Sequence, residues 1–284
     1  MKKFILLLTI VITTVVFSFK VKAVDKNDNY KIKDFSKNRE VVSDLIESIE
    51  SDNYSNIIKL KDDSSIFSSK KKYSITLDKA DAYYFGKIKN NKPEGEGILF
   101  EGENLDEMIN IKVYIGNFEK GIFNGYGLMI EREDGLGIEN FKEYDKFSIV
   151  DLLNDNGIAI YEGNFKNFLP DGYAIAYYNP SIHIDNSYKI NIDVKSISYV
   201  GKWKKGEYSG KGLEFIPTNK GNYLNYEGKF KKGEYNGKGI LYFENGNILY
   251  KGNFKNGYYD GKGKLYDENG NLKFEGEFDY GDIK

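Results

Sequence analysis

The 284 residues contain no cysteine, one histidine, four prolines and one tryptophan. Without cysteine there is no disulfide, no thiolate metal site, no thiol nucleophile and no anchor for an N-terminal lipid. One histidine, His183 beside Asp185, makes a His-based triad or a multi-histidine zinc site hard to build, and it reads as a surface residue. Glycine pairs such as Gly95-x-Gly97 lack the Lys-Ser/Thr of a phosphate loop, and nothing suggests a βαβ unit around them. The stretch Asp267–Asn271 has its glycine at the wrong place for a calcium loop and no glutamate at the required spacing, so it reads as a hairpin turn. Acidic residues are plentiful, 43 in all, but no motif pairs two of them for acid–base work. No catalytic residue, metal ligand, cofactor or nucleic-acid partner is therefore expected.

Long apolar runs are also scarce. The one that stands out is Phe4–Phe19, sixteen residues behind Lys2 and Lys3. That is short of the ~20 residues of a membrane span. With Val21-Lys22-Ala23 after it, residues 1–23 read as a secretory signal peptide cleaved near Ala23. An uncleaved N-terminal anchor is the alternative. The expectation is an exported protein: periplasmic, envelope-associated or secreted.

What the chain has in abundance is tyrosine (24), phenylalanine (19) and glycine (30), a composition of strands and turns rather than of a helical core. These residues recur in register. Copies of a seventeen-residue phrase start at Tyr84, Tyr114, Tyr161, Tyr199, Tyr226, Tyr250 and, truncated, at Phe274. Counting the first residue as offset 0, glycine holds offset 2 in all seven: Gly86, Gly116, Gly163, Gly201, Gly228, Gly252 and Gly276. It holds offset 11 in all six complete copies: Gly95, Gly125, Gly172, Gly210, Gly237 and Gly261. Offset 13 is glycine except at Ala174, and offset 4 is aromatic (Trp203, Phe230 and Phe254 among them) except at Ile88.

Alternation puts Tyr226, Gly228 and Phe230 on one strand face, with Glu227, Lys229 and Lys231 on the other. Gly233 with Asn236 supplies a turn, and Gly237-x-Gly239 opens the return strand. Glycine within a strand suggests a ring from the facing strand laid over bare backbone. Asn245-Gly246 and Asn269-Gly270 fit two-residue type I′ turns joining one hairpin to the next. The fold class expected is all-β: an elongated single-layer antiparallel meander of tandem hairpins, about thirteen strands over the repeats.

The phrase resembles the MORN repeat (membrane occupation and recognition nexus), over roughly Tyr84–Lys284. The resemblance implies tandem β-hairpins and a non-catalytic role in protein–protein or membrane-associated scaffolding. MORN repeats also occur fused to kinase-like or methyltransferase domains, but no such signature appears here.

The organisation expected is residues 1–23 as signal, 24–78 as an N-terminal segment and 79–284 as the array. In the segment, Val41, Val42, Leu45, Ile46 and Ile49 have helical spacing, giving a short amphipathic helix at about 37–51 that caps the first hairpin. Tyr73–Leu77 alternates and suggests a lead-in strand. Insertions at 101–113, 131–160 and 179–198 are either binding loops or longer strands; alternation from Ser187 to Val200 favours the latter there. The last copy is expected to stop near Gly281 without a return strand.

Charge divides the chain. Residues 199–284 hold 15 lysines and 12 acids, whereas residues 24–198 hold 22 basic and 31 acidic residues. Lys202, Lys204 and Lys211 in copy four recur as Lys229, Lys231 and Lys238 in copy five. Two readings stand: a solvated face, or a weak docking stripe for an anionic membrane, an acidic glycan or an acidic protein. The function expected is an exported scaffold with a protein partner. The alternative is a cell-envelope carbohydrate-binding protein that stacks sugars on its aromatic rows.

Overall fold

The computed structural model describes residues 58–60, 81–90, 92–102, 111–132, 159–180, 182–184, 190–192, 196–218 and 221–284. The leader, the helix expected at 37–51 and the strand expected at 73–77 lie outside these residues. The chain divides into a unit of residues 1–34 and a unit of residues 35–284, and only the second is described.

Fifteen strands form one open antiparallel sheet in which almost every strand pairs with its neighbours in sequence. The first is β1 (Ile58–Leu60). The first three copies supply β2 (Asp81–Lys89), β3 (Lys92–Gly102), β4 (Ile111–Glu119), β5 (Ile122–Arg132), β6 (Ala159–Lys166) and β7 (Leu169–Tyr178). A separate two-stranded hairpin, β8 (Ile182–Ile184) with β9 (Ile190–Ile192), interrupts the sheet. The sheet resumes with β10 (Ile197–Lys204), β11 (Glu207–Thr218), β12 (Gly221–Lys231), β13 (Glu234–Tyr242), β14 (Ile248–Lys255), β15 (Tyr258–Tyr266), β16 (Leu272–Asp279) and β17 (Asp282–Ile283). The single-sheet expectation holds, with additions at both edges. β1, in a stretch assigned no strand from sequence, pairs with β2 and covers the first edge. β17 gives the seventh copy a two-residue return strand, which the sequence reading had omitted.

The turns are the reverse of the expectation. The type I′ turns lie inside the phrase, at offsets 6 and 7. Lys232 and Gly233 have φ of 53° and 83°, and Lys231 pairs with Glu234 across them. Asn236 is no part of that turn; it belongs to β13. Asn245-Gly246 is instead part of a longer loop: Gly246 N–H donates to the Phe243 carbonyl at 2.9 Å, and only Gly246 has positive φ. This is a type I turn closed by a left-handed glycine. Asp267–Gly270 repeats it, with the Asp267 carboxylate accepting from the N–H groups of Asn269 (3.0 Å) and Asn271 (2.8 Å). Asn-Gly signals both turn types; the loop length between paired residues selects the second.

The type I′ turns are tied to one another. In each copy after the first, the offset-7 N–H donates to the offset-9 carbonyl of the copy before. The bonds run Gly121 to Pro93, Phe168 to Phe123, Gly206 to Pro170, Gly233 to Tyr208, Gly257 to Tyr235 and Gly281 to Tyr259, at 2.9–3.1 Å. All seven copies are thereby joined along one border of the sheet.

The insertions resolve in part. β3 runs on to Gly102, β4 begins at Ile111, β5 ends at Arg132 and β6 begins at Ala159, so the inserted ends lengthen strands. Residues 179–198 do not form one long strand. They hold the β8–β9 hairpin, with Ile182, Ile184 and Ile192 buried and His183 exposed opposite Asn191.

Candidate functional site

The tyrosine face carries two aromatic clusters, one over the first three copies and one over the later copies, with half-buried Tyr161 packed against both. Tyr226 folds along its own strand so that its hydroxyl donates to the Lys229 carbonyl at 3.1 Å. The ring lies over Gly228 and its cross-strand partner Gly239, where any side chain would overlap it. Tyr84, Tyr199 and Tyr250 repeat this hydrogen bond at 3.0–3.3 Å and cover their own glycine pairs. The offset-4 ring stands edge-on between two copies: Phe254 meets Tyr226 and Tyr250, both at 5.1 Å. Phe230 and Trp203 do the same, Phe230 between Tyr199 and Tyr226, Trp203 between Tyr161 and Tyr199.

Sequence reasoning missed the offset-9 ring. Tyr208, Tyr235 and Tyr259 stack face to face on Tyr199, Tyr226 and Tyr250, with centroids 3.7–3.8 Å apart. The signal was present, as an aromatic two residues after each turn glycine. Two copies depart from the pattern. In copy two, Phe123 takes the place over Gly116 and Gly127, and Tyr114 packs beside it at 5.3 Å. In copy three the methyl of Ala174 fills the space at Gly163, and no ring enters.

The offset-11 glycines do something different from the expected ring cover. Gly210, Gly237 and Gly261 have φ of 70°, 95° and 80° and lie in a bulge, where three residues of the return strand oppose one. The left-handed conformation requires glycine there. The opposing side chain lies across it: Lys202 over Gly210 and Lys229 over Gly237. Gly125 (φ 86°) and Gly172 (φ 113°) are covered by Asn117 and Asn164, and Gly95 has φ 76°.

The opposite face changes character along the array. The row Ile98, Ile115, Leu128, Glu162, Ile175, Val200 and Leu213 is buried, strand after strand. Glu162, fully buried, accepts from the hydroxyls of Tyr126 (2.8 Å) and Tyr177 (2.9 Å). Past Leu213 the row continues as Glu227, Ile240, Lys251, Lys264 and Glu275, none of them buried.

The predicted lysines lie on this second face, and all are exposed. The register sorts them into two rows. Lys204 opposes Glu207 and Lys231 opposes Glu234 across the type I′ turns. Lys211 opposes Lys229 directly, with Lys202 and Lys238 on the flanking strands.

Carboxylates and phenols meet at half-buried positions. Glu214 accepts from the Tyr235 hydroxyl and from Asn225 Nδ2 (2.9 Å), and Tyr242 donates to Glu227 at 3.2 Å. Burial, then the charge of Glu214, pushes the Tyr208 phenol up to about 12. Burial, then Tyr259, pushes Tyr250 up to about 12. The unfolded chain releases these protons near pH ~10, before the folded protein does. The stability they contribute is therefore complete below pH ~10 and lost as pH rises towards ~12. Denaturant midpoints between pH 9 and 12 should fall steeply, and less so for Tyr208→Phe with Tyr250→Phe.

Among the described residues no group of three or more His, Asp or Glu side chains is placed to hold a metal ion, and no helix is long and apolar enough to cross a membrane. The sheet, its regular hairpins and its internally stacked aromatic face define an open-sheet hairpin-repeat protein. The repeats are MORN repeats: the family model matches residues 84–100, 114–130, 199–219, 226–248 and 250–272. The copies at Tyr161 and Phe274, outside those matches, have the same hairpin geometry and the same bond between turns. Comparison with curated proteins gives no match. MORN repeats generally mediate protein or membrane interactions and are generally non-catalytic, and the chain is consistent with a repeat protein of interaction.

Proposed function

We propose that the chain is an exported, non-catalytic scaffold whose tyrosine face, over copies five to seven, receives a protein partner. One observation carries this reading. Offset 15 of the repeat is buried in the early copies, at Leu99 and Met129, but half-exposed in the later ones, at Leu241 and Leu265. Tyr235, Leu249, Tyr259 and Phe274 lie around these leucines, also half-exposed, giving an apolar strip on a rigid support. Apolar strips rimmed by polar residues are where protein partners bind. Export rests on the leader-like residues 1–23.

The aromatic rows give the carbohydrate reading less support. The offset-0 rings press one face on glycine and the other on the offset-9 tyrosine, which leaves them no face for a sugar.

A photo-crosslinking residue at position 265 should capture a discrete protein partner in cells, whereas one at Lys231 should not. Leu241→Asp, added to the chain that carries the crosslinking residue at position 265, should abolish the product while leaving the circular dichroism spectrum unchanged. Equal capture from both positions contradicts the reading. Mass measurement of the mature N-terminus tests export separately.

A further inference from the structure

We propose that Tyr258 and Tyr280 form an oxidative modification site: hydrogen peroxide, acting through a haem peroxidase, joins them as a dityrosine that fastens copy seven to copy six. The two rings lie side by side on the turn border of the sheet, with centroids 6.1 Å apart. Both are exposed, at 56% and 58%. Tyr178 is exposed to a similar degree, but no ring lies beside it among the described residues. Elsewhere on the sheet the hydroxyls are committed. Four offset-0 tyrosines donate to carbonyls of their own strands, and Tyr126, Tyr177, Tyr235 and Tyr242 donate to glutamates.

Folding does not call for tyrosine at either place. Tyr280 holds offset 6, the first residue of the type I′ turn, with φ 48°. The other six copies carry asparagine or lysine there, at φ 51–54°. Asparagine tolerates the left-handed conformation, and a bulky ring gains nothing from it. Phe168, at offset 7, is the other aromatic residue in such a turn, and packing accounts for it: its ring is partly buried and meets Tyr114 at 5.1 Å. Tyr280 has no comparable burial. Tyr258 holds offset 8, where the first five copies have Lys92, Ile122, Leu169, Glu207 and Glu234. That position accepts apolar and charged side chains alike.

The surroundings keep the rings together. Gly281, next after Tyr280, donates its N–H to the carbonyl of Tyr259, next after Tyr258, at 2.9 Å. A methyl group built on Gly281 would sit 3.8 Å from Tyr258 Cδ1, so one ring lies along the turn that carries the other. Lys255 opposes Tyr258 across its hairpin and sets its ammonium 5.4 Å from the centre of the Tyr280 ring. This cation–π contact steadies Tyr280 on the side of Tyr258. Exposed side chains rotate within nanoseconds, so the rings can meet edge to edge while the backbone stays fixed.

In the reaction each phenol gives up one electron and its hydroxyl proton. The two electrons and two protons reduce the peroxide, whose O–O bond breaks, to two waters. The phenoxyl radicals form one C–C bond between ring carbons ortho to the hydroxyls. The hydrogen on each of those carbons then moves to its oxygen, so the product has lost two hydrogen atoms and gained one bond. A chain without cysteine cannot fasten its hairpins with disulfides. This bond does that task without sulfur.

Oxidation of the full chain at low concentration, with hydrogen peroxide and a haem peroxidase, tests this. The expected product is a monomer. Trypsin and mass spectrometry should find residues 256–262 joined to residues 274–284, two hydrogen atoms lighter than their sum. The yield should be unchanged on about tenfold dilution, as for groups already adjacent. Tyr258→Phe and Tyr280→Phe should each abolish the joined peptide, and Tyr178→Phe should leave it in place. Hydrogen exchange around the β16–β17 turn should be slower after oxidation. Absence of dityrosine, dityrosine only between chains, or a joined peptide that persists in Tyr258→Phe overturns the proposal. Equal exchange before and after oxidation overturns the fastening role.

Discussion

Gly239→Val is expected to destabilise the protein by about 3 kcal/mol or more, whereas Gly246→Ala costs about 1 kcal/mol. The two glycines are seven residues apart and serve unrelated purposes. Any β-carbon at Gly239 falls inside the Tyr226 ring, and the Gly228 backbone opposite leaves no room to yield. Valine must expel the ring, and Tyr226 is fully buried against Tyr235, Phe230 and Phe254. The loss combines overpacking with forfeited burial of an aromatic side chain. Nothing lies within 4 Å of a β-carbon at Gly246, so only its φ of 86° is penalised. Denaturant midpoints of the full chain measure both. Tyr226→Ala should make the Gly239→Val effect much smaller in a double-mutant cycle, since the clash is then gone. Additive effects would mean that ring and glycine are not in contact.

Phe254→Ala is expected to cost about 3–5 kcal/mol, the range for deleting a buried phenylalanine. Phe254 is 3% exposed and touches four rings: Tyr226, Tyr235, Tyr250 and Tyr259. Two belong to copy five and two to copy six, so one deletion loosens both copies and the interface between them. In an array whose stability is the sum of units and nearest-neighbour interfaces, such a change should split unfolding into two phases. Hydrogen exchange should then show copies six and seven opening before copies one to four. Uniform loss of protection along the whole sheet would contradict nearest-neighbour behaviour.

The repeat was legible because its residues answer to local geometry. Tyr, Gly and Phe at offsets 0, 2 and 4 reflect one strand face, and period-2 reading recovers them. Offset 13 was read as a glycine beneath a ring from the facing strand, as Tyr226 lies over Gly239; the cover of offset 2 by a ring of its own strand was not read. Offset 11 looked like the same signal but answers to backbone φ within a bulge, and a list of glycines does not separate the two causes. The offset-9 tyrosines were overlooked because stacking on Tyr199, Tyr226 and Tyr250 depends on the hairpin register, which the bulge shifts. The lysines were read as one stripe. Only cross-strand pairing shows that Lys204 and Lys231 face glutamates while Lys211 faces Lys229. Burial of Glu162 was not legible either: its offset-1 counterpart Glu227 has the same neighbours in the phrase but is not buried.

The bonds between successive type I′ turns make the two borders of the sheet unequal as sites for new sequence. On that border each turn has two residues and is clamped to the copy before it, so one added residue would break a hydrogen bond and displace the next hairpin. On the far border the chain passes between copies through connections that range from the Phe243–Asn247 turn to the stretch between Arg132 and Ala159. Length can vary there without changing the pairing of a single strand. A reporter peptide or a whole domain grafted between Arg132 and Ala159 should leave the array folded, and the same graft between Lys232 and Gly233 should not. The protein is in this sense a display scaffold with one permissive side, on which foreign sequence can be set at intervals fixed by the repeat.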